Sequence, residues 1–163
     1  MITGWQAPSS AVVPIFGDPK WTAENRPQHL DQREHLDEGR KIRVIVVDDE
    51  PVIAETVVEI LNQEGFEATA VTDGASAVEL SKTLNPDVVL SDVIMPGLNG
   101  IETGMKIREI VPKCKIILFS GQAATVDLLE KARVAGHRFE ILAKPISPEK
   151  LIAVIRATSG HIS

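Results

Sequence analysis

Pro86-Asp87-Val88-Val89-Leu90-Ser91-Asp92-Val93-Ile94-Met95-Pro96-Gly97-Leu98-Asn99-Gly100 is the stretch whose reading decides the fold. It is a short apolar run, then one acid, then a loop rich in breakers. Val88, Val89 and Leu90 are consecutive apolar residues, which suits a strand buried on both faces of a parallel sheet. Pro86 marks its start. Pro96, Gly97, Asn99 and Gly100 stop regular structure after it. Asp92 therefore stands at the carboxyl end of a central strand, the end where open α/β sheets bind ligands.

A lone Asp after a strand reads first as a helix cap or turn former. A second strand of the same kind changes the reading. Ile42-Arg43-Val44-Ile45-Val46-Val47 runs into Asp48-Asp49-Glu50-Pro51. Two unit charges about 4 Å apart repel by roughly 4 kcal/mol at an effective dielectric near 20. If Asp48, Asp49 and Asp92 converge, a divalent metal is their natural neutraliser. All-oxygen ligands point to magnesium, manganese or calcium, not zinc.

Working outward, the chain alternates strand and helix from Lys41. Pro51 opens a helix in which Ile53, Val57, Ile60 and Leu61 recur at helical spacing, ended by Gly65. Glu67 to Val71 is a second strand. Asp73 caps a helix reaching Leu84, with Ala77, Leu80 or Ser81, and Leu84 facing inward. After Val88–Ser91, Ile101, Met105 and Ile110 mark a third helix that Pro112 stops. Lys115 to Ser120 is a strand, Val126 to Ala135 a helix, and Phe139 to Ala143 the fifth strand. Ser147 caps and Pro148 starts a last helix with Leu151, Val154 and Ile155 on its apolar face. Five βα repeats predict a flavodoxin-like, doubly wound α/β fold: a five-stranded parallel sheet of order 2-1-3-4-5 with five helices. In that order strands one and three are neighbours, so Asp48, Asp49 and Asp92 meet.

Residues 1–40 differ. They hold Pro8, Pro14, Pro19 and Pro27 and both tryptophans, Trp5 and Trp21, with no sustained period. They read as a tail, disordered or loosely docked, without a function of its own. The competing reading is a partner-binding arm anchored by Trp5, Phe16 and Trp21. The domain proper spans 41–158, and 159–163 form the C-terminal end.

The net charge of −6 argues against nucleic-acid binding through the phosphate backbone. The one cysteine, Cys114, forms no internal disulfide, so a reducing, cytoplasmic setting is the default. No apolar run is long enough to span a membrane, and no signal-peptide pattern opens the chain.

Two further residues fall at strand ends on the acidic edge. Ser120 ends strand four and is followed by Gly121; Lys144 follows strand five and precedes Pro145. Val46-Val47-Asp48-Asp49-Glu50, Asp92 to Gly100, Ser120-Gly121 and Lys144-Pro145 together resemble the response-regulator receiver domain of two-component signalling, over residues 41–158. The resemblance implies that Asp92 is the phosphoacceptor, attacking a phosphohistidine on a sensor histidine kinase or phosphotransfer protein. It implies Mg²⁺ held by Asp49, Asp92 and the backbone carbonyl of Ile94, with Asp48 helping through a water. Ser120 then bonds a phosphoryl oxygen, and Lys144 pairs with Asp92 and later with the phosphoryl group. The Lys144-Pro145 peptide is expected cis. The implied activity is signalling in a phosphorelay, with no catalysis beyond the domain's own phosphoryl transfer and dephosphorylation.

Two features depart from the family pattern. The usual aromatic three positions before the lysine is Ile141 here, with Phe139 two residues earlier. Either Phe139 takes the switching role or the aromatic half of the switch is absent. Ile94, which with Gln122 flanks the site, offers no group to orient an attacking water, so the phosphoryl group is not expected to be unusually short-lived. With no sequence for an output domain after the last helix, a stand-alone receiver is expected. Its partner is a downstream protein or a second copy, met through the face of helix four, strand five and helix five, including Arg133, His137, Phe139 and Arg156. A magnesium-dependent phosphatase or phosphotransferase, and a receiver fold used only for binding, are the rival readings.

Overall fold

The computed structural model describes residues 39–121 and 125–159. The reading of 1–40 as a tail thus lies almost wholly outside the described residues, as does Gln122. From Arg43 the elements run β1 (Arg43–Val47), α1 (Pro51–Gln63), β2 (Glu67–Val71), α2 (Gly74–Leu84), β3 (Val88–Asp92), α3 (Gly100–Ile110), β4 (Lys115–Ser120), α4 (Thr125–Val134), β5 (Glu140–Ala143) and α5 (Pro148–Ser159). All five strands are parallel, in the order β2-β1-β3-β4-β5, as the sequence predicts.

Alternation along each strand feeds two apolar layers. Val44 and Val46 of β1, Val88 and Leu90 of β3, and Ile117 and Phe119 of β4 point to the side covered by α1 and α5, against Ala54, Leu61, Leu151 and Ile155. Ile45, Val47, Val89, Ile116 and Leu118 point to the side of α2, α3 and α4, against Ala77, Ile101, Ile107 and Ala132. Both faces of the central strands are therefore dry, which is why they read as unbroken apolar runs.

Local chemistry sets the helix ends. Asp73 accepts the N–H of Ser76 at 2.7 Å, and Asn99 accepts that of Glu102 at 2.8 Å. The Ser76 N–H and hydroxyl hold the Asp73 carboxyl below the usual carboxylate range. Pro51 occupies the first turn of α1, where its missing N–H costs nothing. Gly65 turns the chain out of α1 at φ +92°, a conformation that strains any side chain. Burial pushes the Cys114 thiol up to about 12, so it packs as a neutral apolar group. No helix among the described residues is long and apolar enough to cross a membrane.

Several expectations need correction. β5 begins at Glu140, not Phe139. The Phe139 ring leaves the strand line to pack beneath the Arg108 guanidinium of α3, 4.6 Å from ring centroid to Cζ. Gly104 makes room for it: a Cβ there would lie 3.0 Å from Phe139 Cε1. α4 begins at Thr125, not Val126, and ends at Val134, not Ala135. In α3 the buried line is Ile101, Thr103, Gly104 and Ile107, while Ile110 lies outside it. Ile53 is likewise largely outside the core, and Ala54 takes the inward position on α1.

Candidate functional site

The carboxyl ends of β1, β3, β4 and β5 form one edge, and every predicted site residue lies on it. Val47 pairs with Ser91, so the next residues, Asp48 and Asp92, stand side by side. Asp92 is the last residue of β3, its side chain 17% exposed. Asp48 is buried and Asp49 exposed. Carboxylate oxygens of Asp48, Asp49 and Asp92 lie within 4.8 Å of one another. Lys144 enters from the far side of β4: its Nζ donates to Asp92 Oδ2 at 3.0 Å and lies 3.9 Å from Asp48 Oδ2. The Lys144-Pro145 peptide is cis, as expected. Pairing of Ser120 with Ala143, and the bond from Lys144 N–H to Ser120 O at 3.0 Å, hold the hydroxyl beside the lysine.

Electrostatics single out Asp48. Burial raises its carboxyl above the ordinary range, and neighbouring Asp92 and Asp49 add to the rise. The Glu50 N–H, donating to Oδ1 at 2.9 Å, and the Lys144 ammonium oppose it. A folded-state carboxyl raised above its unfolded value destabilises the fold once it is ionised. The cost is absent below the unfolded value and grows as pH rises through the raised one. Asp48→Asn keeps an oxygen for Glu50 and removes that cost. In chelator it is expected to stabilise the domain at pH 7, the gain vanishing as pH falls into the ordinary carboxylate range. Urea unfolding at the two pH values checks this; a gain of equal size at both contradicts it.

Three carboxylates against one ammonium leave an excess of negative charge in a small volume. An all-oxygen donor set of this kind fits Mg²⁺. Ile94 follows Asp92 by two residues, its side chain 42% exposed and outside the core.

A family model described as the response regulator receiver domain matches residues 44–156. The chain belongs to the response regulator receiver family. The receiver is 34% identical over 120 residues to the probable transcriptional regulatory protein TcrX of Mycobacterium tuberculosis, covering 74% of this chain and 50% of that one. It is 32% identical over 118 residues to the chemotaxis protein CheY of Thermotoga maritima, covering 72% of this chain and 97% of that one. The chain thus spans about half the length of the TcrX it matches. Among solved structures, a response regulator receiver protein from Sinorhizobium medicae superposes with a TM-score of 0.66 at 27% identity, covering 76% of this chain and 98% of that one. Receivers bind Mg²⁺ in an acidic pocket, and in this receiver Asp48, Asp49 and Asp92 form one.

Sequence reasoning missed one residue of the receiver's site and the role of a second. Thr125, buried at the start of α4, accepts the Ser120 hydroxyl at 2.6 Å. A Thr opening a helix after a loop is the signal that pointed there. Gly100 lets α3 approach the end of β3, donating to Val93 O at 2.8 Å. On the expected output face, His137 stacks on Phe139 with centroids 6.3 Å apart. Phe139, Arg133 and Ile141 border one hollow there. Arg156 does not join them. It reaches the opposite flank of α5, donating to Glu64 O at 3.2 Å with its guanidinium over Phe66.

Proposed function

We propose that this receiver accepts a phosphoryl group on Asp92 from a phosphohistidine of a sensor histidine kinase or phosphotransfer protein. It then signals through protein contacts in a cytoplasmic phosphorelay. The observation that carries the reading is the pairing of Asp92 with Lys144 inside the acidic cluster. A carboxylate is a weak nucleophile, so the site must aim it and offset charge at the transferring group. Lys144 fixes one Asp92 oxygen and leaves the other to attack. Asp48, Asp49, Asp92 and the Ile94 carbonyl are the groups assigned to Mg²⁺. When bound, the ion supplies positive charge against the phosphoryl oxygens.

Ser120 is the proposed sensor of the new group. Its hydroxyl turns from Thr125 to a phosphoryl oxygen, and Thr125, which opens α4, loses that partner. The change therefore reaches the α4–β5 surface without an aromatic at position 141. The partner on that surface is a downstream protein or a second copy of the chain.

Acetyl phosphate with Mg²⁺ tests the reading: a mass gain of one phosphoryl group, mapped to Asp92, is expected. No gain supports a receiver fold used only for binding. Turnover of an added phosphomonoester supports the phosphatase alternative. Ile94 presents no carboxylate or amide to orient water, so the phosphorylated protein is expected to outlast a few seconds after donor removal. Complete hydrolysis within that time, read by quenched mass spectrometry, contradicts the role given to Ile94.

A further inference from the structure

A hollow of about 340 Å³ opens between α4 and β5, and no residue of the acidic edge lines it. Leu129, Phe139 and Ile141 give it apolar walls, and its polar lining is Arg133, His137 and Arg138, with no acid among them. That is the size and make-up of a small-ligand site, apolar walls with a few polar groups of one character. On a chain of net charge −6 it is also a local reversal of sign. The Phe139 ring is held in place, with the Arg108 guanidinium 4.6 Å from its centroid. His137 stacks on the same ring, the two planes 12° apart. Helix-dipole chemistry accounts for Arg133, which stands in the last turn of α4. It does not account for Arg138, which lies beyond the helix, is exposed and pairs with no acid among the described residues.

We propose that this hollow binds a nucleoside monophosphate, its base on the apolar walls and its phosphate between Arg133 and Arg138. A planar base suits walls built from a fixed phenyl ring and an imidazole, and stacking of this kind tolerates any base. A phosphate dianion suits two guanidiniums, whose forked N–H groups match its oxygens. The volume is at the small end of ligand sites, which suits a single nucleotide. Arg133 pairs with Glu130 at 2.7 Å, but the two side chains are 62% and 58% exposed, and an exposed pair on one helix yields readily to a dianion. An acidic peptide is the poorer fit, because it spreads single charges along a chain and offers one carboxylate per guanidinium. The binding uses none of Asp48, Asp49, Asp92, Ser120 or Lys144, so it stands apart from the acceptor reading. A nucleotide seated there covers part of the α4–β5 surface and competes with any partner that docks on it.

The test titrates AMP and GMP into the full chain in chelator, which keeps metal-borne phosphate off the acidic edge. Saturable shifts are expected in the methyl resonances of Leu129 and Ile141 and the ring resonances of His137, with a Kd of about 1 mM or tighter. Ribose 5-phosphate lacks the base and adenosine lacks the phosphate, and each is expected to bind at least about tenfold more weakly than AMP. Arg138→Gln is expected to weaken AMP about tenfold and leave adenosine unchanged. The exposed position makes loss of the fold no part of that effect, and an unchanged unfolding midpoint checks it. Equal affinity of wild type and Arg138→Gln for AMP places the phosphate elsewhere and ends the proposal. Inorganic phosphate that shifts the same resonances as strongly as AMP overturns it too, since the hollow is then a general anion patch. No shift with either nucleotide also overturns it, and an acidic peptide with a Phe anchor that does shift those resonances then assigns the hollow to a partner protein.

Discussion

Asp92→Asn is expected to take up no phosphoryl group from acetyl phosphate, a loss of at least about 1,000-fold in initial rate, while folding normally. The amide keeps the shape of the carboxylate but removes the oxygen lone pair that carries the nucleophile's charge. The same change relieves repulsion among Asp48, Asp49 and Asp92, whose oxygens crowd within 4.8 Å. Against this stands the loss of the Lys144 pair, whose partners are 36% and 17% exposed, so screening limits what it contributes. The two effects nearly cancel, and the free energy of urea unfolding in chelator is expected to change by less than about 1 kcal/mol. Intact-mass spectrometry after donor treatment gives the first readout and unfolding the second. Undiminished labelling of the variant would move the acceptor to another acid, with Asp49 the nearest exposed choice.

How much of this was legible beforehand depends on what kind of neighbour fixes each residue. Asp48, Asp92, Ser120 and Lys144 were legible because each ends or follows an apolar strand run, and parallel strands bring their carboxyl ends to one edge. The sheet order followed from the βα repeats for the same reason. Phe139 was not legible. Period-2 alternation carries it into β5, but its ring goes where Gly104, far back in the chain, leaves a gap under Arg108. Arg156 failed similarly. Helical spacing says which residues of α5 face the core, not which neighbour the polar flank will meet, and here that neighbour is Glu64 at the end of α1. Ile53, Val57, Ile60 and Leu61 were recognised as a stripe, yet only the packing of α5 shows that Leu61 enters the core while the other three border a recess, with Val57 also packed against the core.

Gly100→Ala is expected to be the most damaging small substitution near the site. A Cβ at this position would collide with the backbone carbonyl oxygen of Asp92, and would lie 2.9 Å from its carbonyl carbon and 3.0 Å from Val93 Cα. All three obstacles are backbone, so no rotamer change relieves them. The alternatives are to move the first turn of α3 off β3, stretching the 2.8 Å bond from Gly100 N–H to Val93 O, or to displace the residue that carries the acceptor. Either route is overpacking against rigid neighbours, with an expected cost of about 3 kcal/mol or more. For a domain of this size that lowers the melting temperature by roughly 10 °C. Gly121→Ala is the matched control, because its Cβ would sit at ordinary contact, 3.7 Å from Lys144 Cβ. It is expected to cost less than about 1 kcal/mol. Acetyl phosphate labelling separates the two routes in the Gly100 variant: slow labelling of the still-folded fraction means that Asp92 has moved, and normal labelling means that α3 has given way. A melting temperature within a degree or two of wild type would contradict the close approach of α3 to the end of β3, and with it the reason a glycine follows Asn99.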